Sequence, residues 1–280
     1  MRKFTVVTFG TAEFSWALRI QKRYSLRFGA DRHIAYDVAS TPVVRARSEN
    51  VPLSLNSRGY GLWIWKPYIM LDAISRCDPG EYIVYLDAGV APVADMRPWF
   101  AQLGRNAINL FAPVPPRPLR QWTKRECFVR MQADRPDYHN TAILSAGIQA
   151  YRNAPESKAF LIELRQLMRD PRLLEDPSLA IGSQEEAMFV AHRHDQSILT
   201  LLAKLRGCAV LREPTQYGIW TARERAAYIA AGSVEPGLLN EECPQVLDVH
   251  RGRDRANPLV RLVWRARRRF LAARRGMLCV

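Results

Sequence analysis

Two stretches decide the reading: Trp63-Ile64-Trp65-Lys66-Pro67-Tyr68-Ile69-Met70-Leu71-Asp72-Ala73-Ile74, and Glu81-Tyr82-Ile83-Val84-Tyr85-Leu86-Asp87-Ala88-Gly89. The second is aromatic and β-branched. It lacks the apolar–polar alternation of a half-exposed strand, so it reads as a central strand covered on both faces. The first places Pro67 in a helix's first turn, where its missing N–H is not needed. That helix should stop at the turn cluster Asp78-Pro79-Gly80. A helix leading into a buried strand that ends on Asp87 puts one carboxylate at the rim of a sheet.

Outward from this core the same alternation continues. Phe4–Phe9 reads as a buried strand, followed after Gly10 by a helix with apolar positions Phe14, Ala17, Leu18 and Tyr24. His33–Val38 reads as a second strand, and the polar stretch 40–61 receives no regular element. Asp95 is a cap for a helix through Trp99 and Leu103. Ile108–Phe111 is a strand, Pro113–Pro118 a loop, and 142–150 an apolar segment of small residues around Gly147. Ser157–Met168 is an amphipathic helix, and 185–205 reads as largely helical with a bend around His192–Asp195. Cys208–Leu211 and Val246–Val249 are short late strands. Alternating strands and helices predict an α/β fold with a largely parallel sheet. Ligands of such sheets bind at the carboxyl ends of strands. That rule points to Phe9-Gly10, to Asp87-Ala88-Gly89 and to the residues after Val249.

Composition bounds the function classes. With 280 residues, 48% hydrophobic and 24% charged, the chain is globular and long enough to bury a core without disulfides. The five cysteines, Cys77, Cys127, Cys208, Cys243 and Cys279, form no CxxC pair, which argues against a zinc ribbon or a thioredoxin-like centre. No apolar run approaches the roughly 20 residues of a membrane span. The basic, Thr-broken start reads as a first strand and not as a signal peptide. The net charge of +14 suggests an acidic partner, and its placement narrows the choice. Residues 251–280 hold ten Arg and one acid, giving +9, while 1–250 hold 31 basic and 26 acidic residues, giving +5. No nucleic-acid motif with interleaved aromatics and glycines accompanies this charge, so nucleic acid is not an expected partner.

Asp87 admits two readings. A rim carboxylate binds Mg²⁺ or Mn²⁺ that bridges to a diphosphate; an Asp-x-Gly segment also simply caps a turn. Trp63 and Trp65 are either stacking surfaces or core. His192 and His194 form an HxH pair before Asp195, but the remaining histidines (His33, His139, His250) are scattered, which disfavours a metallohydrolase. Further candidates are Ser145-Ala146-Gly147-Ile148, Asp195-Gln196 and Leu247-Asp248-Val249-His250-Arg251-Gly252-Arg253.

Taken in order, this set resembles glycosyltransferases of the GT-A fold, nearest to glycosyltransferase family 8 and to relatives with polysaccharide or lipopolysaccharide roles. The resemblance runs from about Phe4 to Arg253. It implies a Rossmann-like, mixed but mostly parallel sheet flanked by helices. It also implies transfer of a hexose from a nucleotide-diphosphate sugar, expected to be a UDP-sugar, to a saccharide or lipid-linked acceptor with retention. By the resemblance, Asp195 and Gln196 are catalytic. Thr8, Gly10, Lys66, Asp87, Gly89, Gly147, Arg251 and Arg253 bind the donor, and Asp87 and His250 hold a divalent metal, Mn or Mg. The chain departs from the family at Gly89, where the second Asp of Asp-x-Asp is expected. That departure keeps a second reading open, a degenerate, non-catalytic protein that binds nucleotide or membrane.

Residues 1–255 are thus expected to form the transferase domain and 256–280 a basic C-terminal helix. In the latter Leu259, Leu262, Val263, Ala266, Phe270 and Ala273 share one face and several Arg the other. A basic amphipathic helix suits an anionic membrane surface; a helix docked on the domain has the same pattern. The expected location is cytoplasmic, peripheral on the inner face of the membrane.

Overall fold

A computed structural model describes residues 3–56, 58–104, 106–177, 187–232, 236–239 and 245–250. The tail 256–280, Arg251, Arg253, Cys243 and Cys279 lie outside the described residues, as does the start of the helix expected over 185–205.

The strands are β1 (Phe4–Phe9), β2 (Arg32–Tyr36), β3 (Tyr82–Leu86), β4 (Val90–Pro92), β5 (Ile108–Ala112), β6 (Ile148–Arg152), β7 (Ala209–Arg212) and β8 (Leu247–Val249). The helices before β5 are α1 (Ser15–Arg27), α2 (Thr41–Ser48), α3 (Val51–Ser54), α4 (Gly59–Leu62), α5 (Lys66–Ser75) and α6 (Arg97–Gln102). Those after it are α7 (Arg125–Arg130), α8 (Pro136–His139), α9 (Pro155–Met168), α10 (Pro171–Leu174), α11 (Asp195–Leu205) and α12 (Ala222–Ala230). The main sheet has the order β2-β1-β3-β6-β5-β7. All pairings are parallel except those of β6, which runs antiparallel to β3 and to β5. The α/β fold with a mixed, mostly parallel, helix-flanked sheet is the one expected. Among the described residues, no helix is long and apolar enough to cross a membrane.

β3 shows why its sequence lacks alternation. Tyr82, Val84 and Leu86 enter a core with Phe4, Val6, Met96 and Trp99 on one face. Ile83 and Tyr85 enter the larger core on the other, with Val7, Phe9, Ile69 and Leu199. Both faces are dry, so every position is apolar or aromatic. Burying one such side chain contributes about 1.5–3 kcal/mol.

Three expectations are corrected. The stretch 40–61 is not irregular: it forms α2 and α3, short elements begun by Pro42 and Pro52, then a left-handed turn. Gly59, Tyr60, Gly61, Leu62 and Trp63 have φ of 59°, 56°, 91°, 51° and 61°. Leu62 N donates to Arg58 O at 2.8 Å and Trp63 N to Gly59 O at 3.2 Å. The three non-glycine residues there each cost about 1–2 kcal/mol against a right-handed turn. In the 185–205 region the helix begins only at Asp195, because His194 (φ 48°, ψ −117°) breaks the helical path. The last strand, β8, pairs with β4 in a separate two-stranded sheet and not with the main one.

Candidate active site

The antiparallel strand β6 builds the site. Since β6 starts where β3 ends, with Leu86 paired to Ile148, the segment Ser145-Ala146-Gly147 is delivered to the rim beside Asp87. Asp87 N donates to Gly147 O at 2.9 Å. A Cβ placed on Gly147 would stand 2.8 Å from Asp87 Oδ2. The glycine is required by this close approach.

Three charged side chains meet here. Lys66, in the first turn of α5, places its Nζ 2.8 Å from Asp195 Oδ2 and 3.5 Å from Asp87 Oδ1. It also donates to Ala146 O at 3.0 Å. Its ammonium is buried and its three N–H groups point at three oxygens of the protein. Burial pulls the Lys66 pKa down, but the Asp195 and Asp87 carboxylates more than offset this, and it ends above the ordinary lysine value. Burial pushes the Asp195 carboxyl up while Lys66 opposes it. Lys66, expected to bind the donor, has its ammonium turned inward, where it ties the two carboxylates together. Two carboxylates thus share one ammonium. Asp87, whose side chain is 41% exposed against 9% for Asp195, is the open end of the cluster.

Gln196 donates from Nε2 to Leu144 O at 2.7 Å. A carbonyl oxygen only accepts, so the amide nitrogen faces Leu144 and the amide oxygen is turned away from it. Gly10 closes β1, where its N donates to Tyr36 O at 3.2 Å. A Cβ there would meet Leu18 at 2.9 Å, so the turn owes its glycine to contact with α1. Thr8 is fully buried within β1 and its hydroxyl has no hydrogen-bond partner among the described residues.

His250 follows β8, and its N donates to Gly89 O at 2.8 Å. The pairing of β4 with β8 therefore brings His250 against the residue that stands where a second carboxylate is expected. Among the described residues no group of three or more His, Cys, Asp or Glu gathers as a metal cage. Asp87 and His250, the two residues expected to hold a divalent cation, are thus linked through the segment at Gly89, and a carboxylate oxygen and an imidazole nitrogen are donor types that such a cation accepts.

The HxH pair is structural. His192 Nε2 donates to Leu173 O at 2.8 Å, and its Nδ1 accepts from Lys124 N at 3.3 Å. His194 Nδ1 donates to Leu174 O at 2.8 Å. The pair fastens α10 beneath the start of α11. Burial, with Lys124 and His194 nearby, lowers the His192 pKa to about 3. The two tryptophans separate. Trp65 is 3% exposed, stacks 4.0 Å from Phe9 and donates from Nε1 to Gly59 O, so it is core. Trp63 is half-buried and lies 5.8 Å from the His194 ring and 6.0 Å from Lys66 Nζ, on the site side.

Three contributors carry no sequence motif. Tyr85 donates to Asp87 Oδ1 at 2.6 Å from the strand that precedes it. Gln21, buried in α1, donates from Nε2 to Asp87 O at 2.9 Å and Val90 O at 2.6 Å and so holds the Asp87–Val90 turn. Glu213, just past β7, is buried beside Ser145 and Thr215, and burial raises its pKa. Only Gln21 left a signal, a polar residue amid the apolar stripe of its helix.

No protein-family model matches the sequence, and comparison with curated proteins finds no match. Solved structures similar to the chain are glycosyltransferases. Mouse xyloside xylosyltransferase 1 in its apo form is 11% identical, over 89% of this chain and 98% of that one, with a TM-score of 0.44. The galactosyltransferase LgtC, in complex with donor and acceptor sugar analogues, is 12% identical over 89% and 87% of the two chains, with a TM-score of 0.46. A glycosyltransferase involved in glycosylation of the major capsid of PBCV-1 is 12% identical over 89% and 95%, with a TM-score of 0.45.

Proposed function

We propose that this chain is a glycosyltransferase that moves a hexose from a nucleoside-diphosphate sugar, of the UDP type, to a saccharide or lipid-linked acceptor. The observation that carries the reading is the Asp87–Lys66–Asp195 constellation, with Gly147 pressed against Asp87 at the carboxyl end of β3. It joins residues from three distant segments at the edge where α/β sheets take nucleotides.

In this reading the donor's C1–O bond to the diphosphate breaks, the acceptor's hydroxyl oxygen bonds to C1, and the hydroxyl proton passes to the departing diphosphate. Positive charge grows at C1 and negative charge on the departing diphosphate. Asp195, whose charged form Lys66 favours against burial, and the amide oxygen of Gln196 face the positive end. Gly147 lets the Asp87 carboxylate lie directly against the backbone at the rim. Asp87 and His250 would hold a divalent cation, Mn or Mg. Such a cation supplies positive charge to the leaving group. Arg251 and Arg253 are proposed to assist at the same phosphates. Retention of configuration rests on the family resemblance alone.

The test is turnover and donor hydrolysis across a panel of UDP-, GDP- and TDP-sugars with Mn²⁺, comparing wild type with Asp195→Asn and Asp87→Ala. Turnover with at least one donor, lost in both variants, is expected. No turnover with any donor, together with nucleotide binding that Asp87→Ala leaves unchanged, would overturn the proposal.

A further inference from the structure

Helix α1 has two faces of opposite character. Ala17, Gln21 and Ser25 are buried, and Gln21 grips the Asp87 turn. Arg19, Lys22, Arg23, Leu26 and Arg27 are all exposed and fall at i, i+3, i+4, i+7 and i+8, which is a single outward stripe about 12 Å long. The helix contains no Asp or Glu. Among the described residues none of these four cations enters an ion pair. By contrast, Arg45 is paired one turn away with Glu49, Arg76 with Asp72 and Arg130 with Glu126. Charge on α1 is therefore left for something outside the fold.

We propose that the outward face of α1 docks on an anionic lipid surface and seats the Asp87 edge beside it. Charge complementarity selects an anionic partner. Leu26, 44% exposed in the midst of the cations, selects a lipid: a bilayer offers both anionic headgroups and apolar depth, whereas a phosphate backbone offers Leu26 nothing. Because Gln21 lies on the opposite side of the same helix, docking fixes where the turn carrying Asp87 stands relative to the lipid. This inference is independent of the transfer reaction.

The experiment is co-sedimentation of the full chain with phosphatidylcholine vesicles, with and without phosphatidylglycerol. Wild type is compared with Arg19→Gln/Lys22→Gln/Arg23→Gln/Arg27→Gln. A control removes the same number of charges elsewhere: Arg125→Gln/Arg130→Gln/Arg172→Gln/Arg206→Gln. Each charge near an anionic surface contributes about a fivefold change in partitioning. Loss of anionic-vesicle binding by about 30-fold or more in the α1 variant, and by much less in the control, is expected, with circular dichroism unchanged. Equal binding by wild type and the α1 variant would overturn it, since the charge outside α1 would then do all the work. Equal loss in both variants would reduce it to net charge. A wild type that ignores vesicles and binds an RNA oligonucleotide would overturn it in favour of a nucleic-acid surface.

Discussion

Asp87 Oδ2 sits 2.8 Å from the point that a Cβ on Gly147 would occupy, so the carboxylate and the glycine backbone are in van der Waals contact. No side chain fits at 147 without moving Asp87. Gly147 sits in the turn before β6 without a positive φ, so alanine there strains the contact and not the chain. Gly147→Ala is expected to lower kcat/KM by at least about a hundred-fold, the effect of misplacing a reacting group by an ångström. The urea midpoint should move far less. Activity within a few-fold of wild type would remove Asp87 from the site.

Lys66 pairs with the Asp195 carboxylate at 2.8 Å, and Asp195 is buried. Lys66→Met leaves that carboxylate without a partner and is expected to cost about 3–5 kcal/mol in urea unfolding. Lys66→Arg should not rescue it fully, since a planar guanidinium does not fill the ammonium's three-way position between Asp195, Asp87 and Ala146 O.

Gln21 is the clamp of the Asp87–Val90 turn. Gln21→Leu keeps the volume and leaves those carbonyls unsatisfied, so a loss of about 1–3 kcal/mol is expected. Activity should fall more steeply on warming than in wild type, because the turn carrying Asp87 loosens before the core does. Thermal scans of activity and of circular dichroism, run side by side, check this.

Two histidines, His192 buried and His33 half-buried, shape the acid side of the stability curve. Burial, helped by Lys22, lowers His33 to about 4, and burial lowers His192 to about 3. Between those values and the ordinary 6.5 the unfolded chain binds protons that the folded chain refuses. Stability from these groups is therefore full above pH 6.5 and is lost as pH falls below it, at about 1.4 kcal/mol per pH unit for each histidine. Urea midpoints at pH 7, 6 and 5 should decline accordingly, and His33→Gln should flatten the slope.

The divalent cation proposed for Asp87 and His250 would make activity sensitive to chelation. Treatment with EDTA should abolish turnover and Mn²⁺ should restore it. His250→Ala should raise the Mn²⁺ concentration needed for half-activation while leaving the fold intact. Full activity in EDTA would show that the protein's own cations suffice.

Much of this was legible in the chain, for identifiable reasons. Tyr82–Leu86 announced itself because both of its faces are buried, and Lys66, Asp87, Gly147 and Asp195 fell in an order that only the assembled sheet explains. The direction of Lys66 was not legible. A lysine at the start of a helix looks free to reach a ligand, and only the tertiary fold shows three protein oxygens around its Nζ. Nor was the left-handed turn at Gly59–Trp63. Two glycines hinted at it, but Tyr60, Leu62 and Trp63 favour right-handed backbone, and packing overrode them. Gln21 looked like a polar interruption of a helix, since its partners are backbone carbonyls that sequence does not display.

The separation of Lys66 from Asp195 is 129 positions along the chain. Their pairing closes a loop nearly half the length of the protein, so its entropy must be met by contacts made earlier, and it belongs among the last events of folding. During synthesis, a nascent chain that has released β1, β3 and Asp87 holds neither β6, which carries Gly147 to the rim, nor the helix that carries Asp195 and Gln196. The candidate site is therefore assembled only when the whole domain has closed.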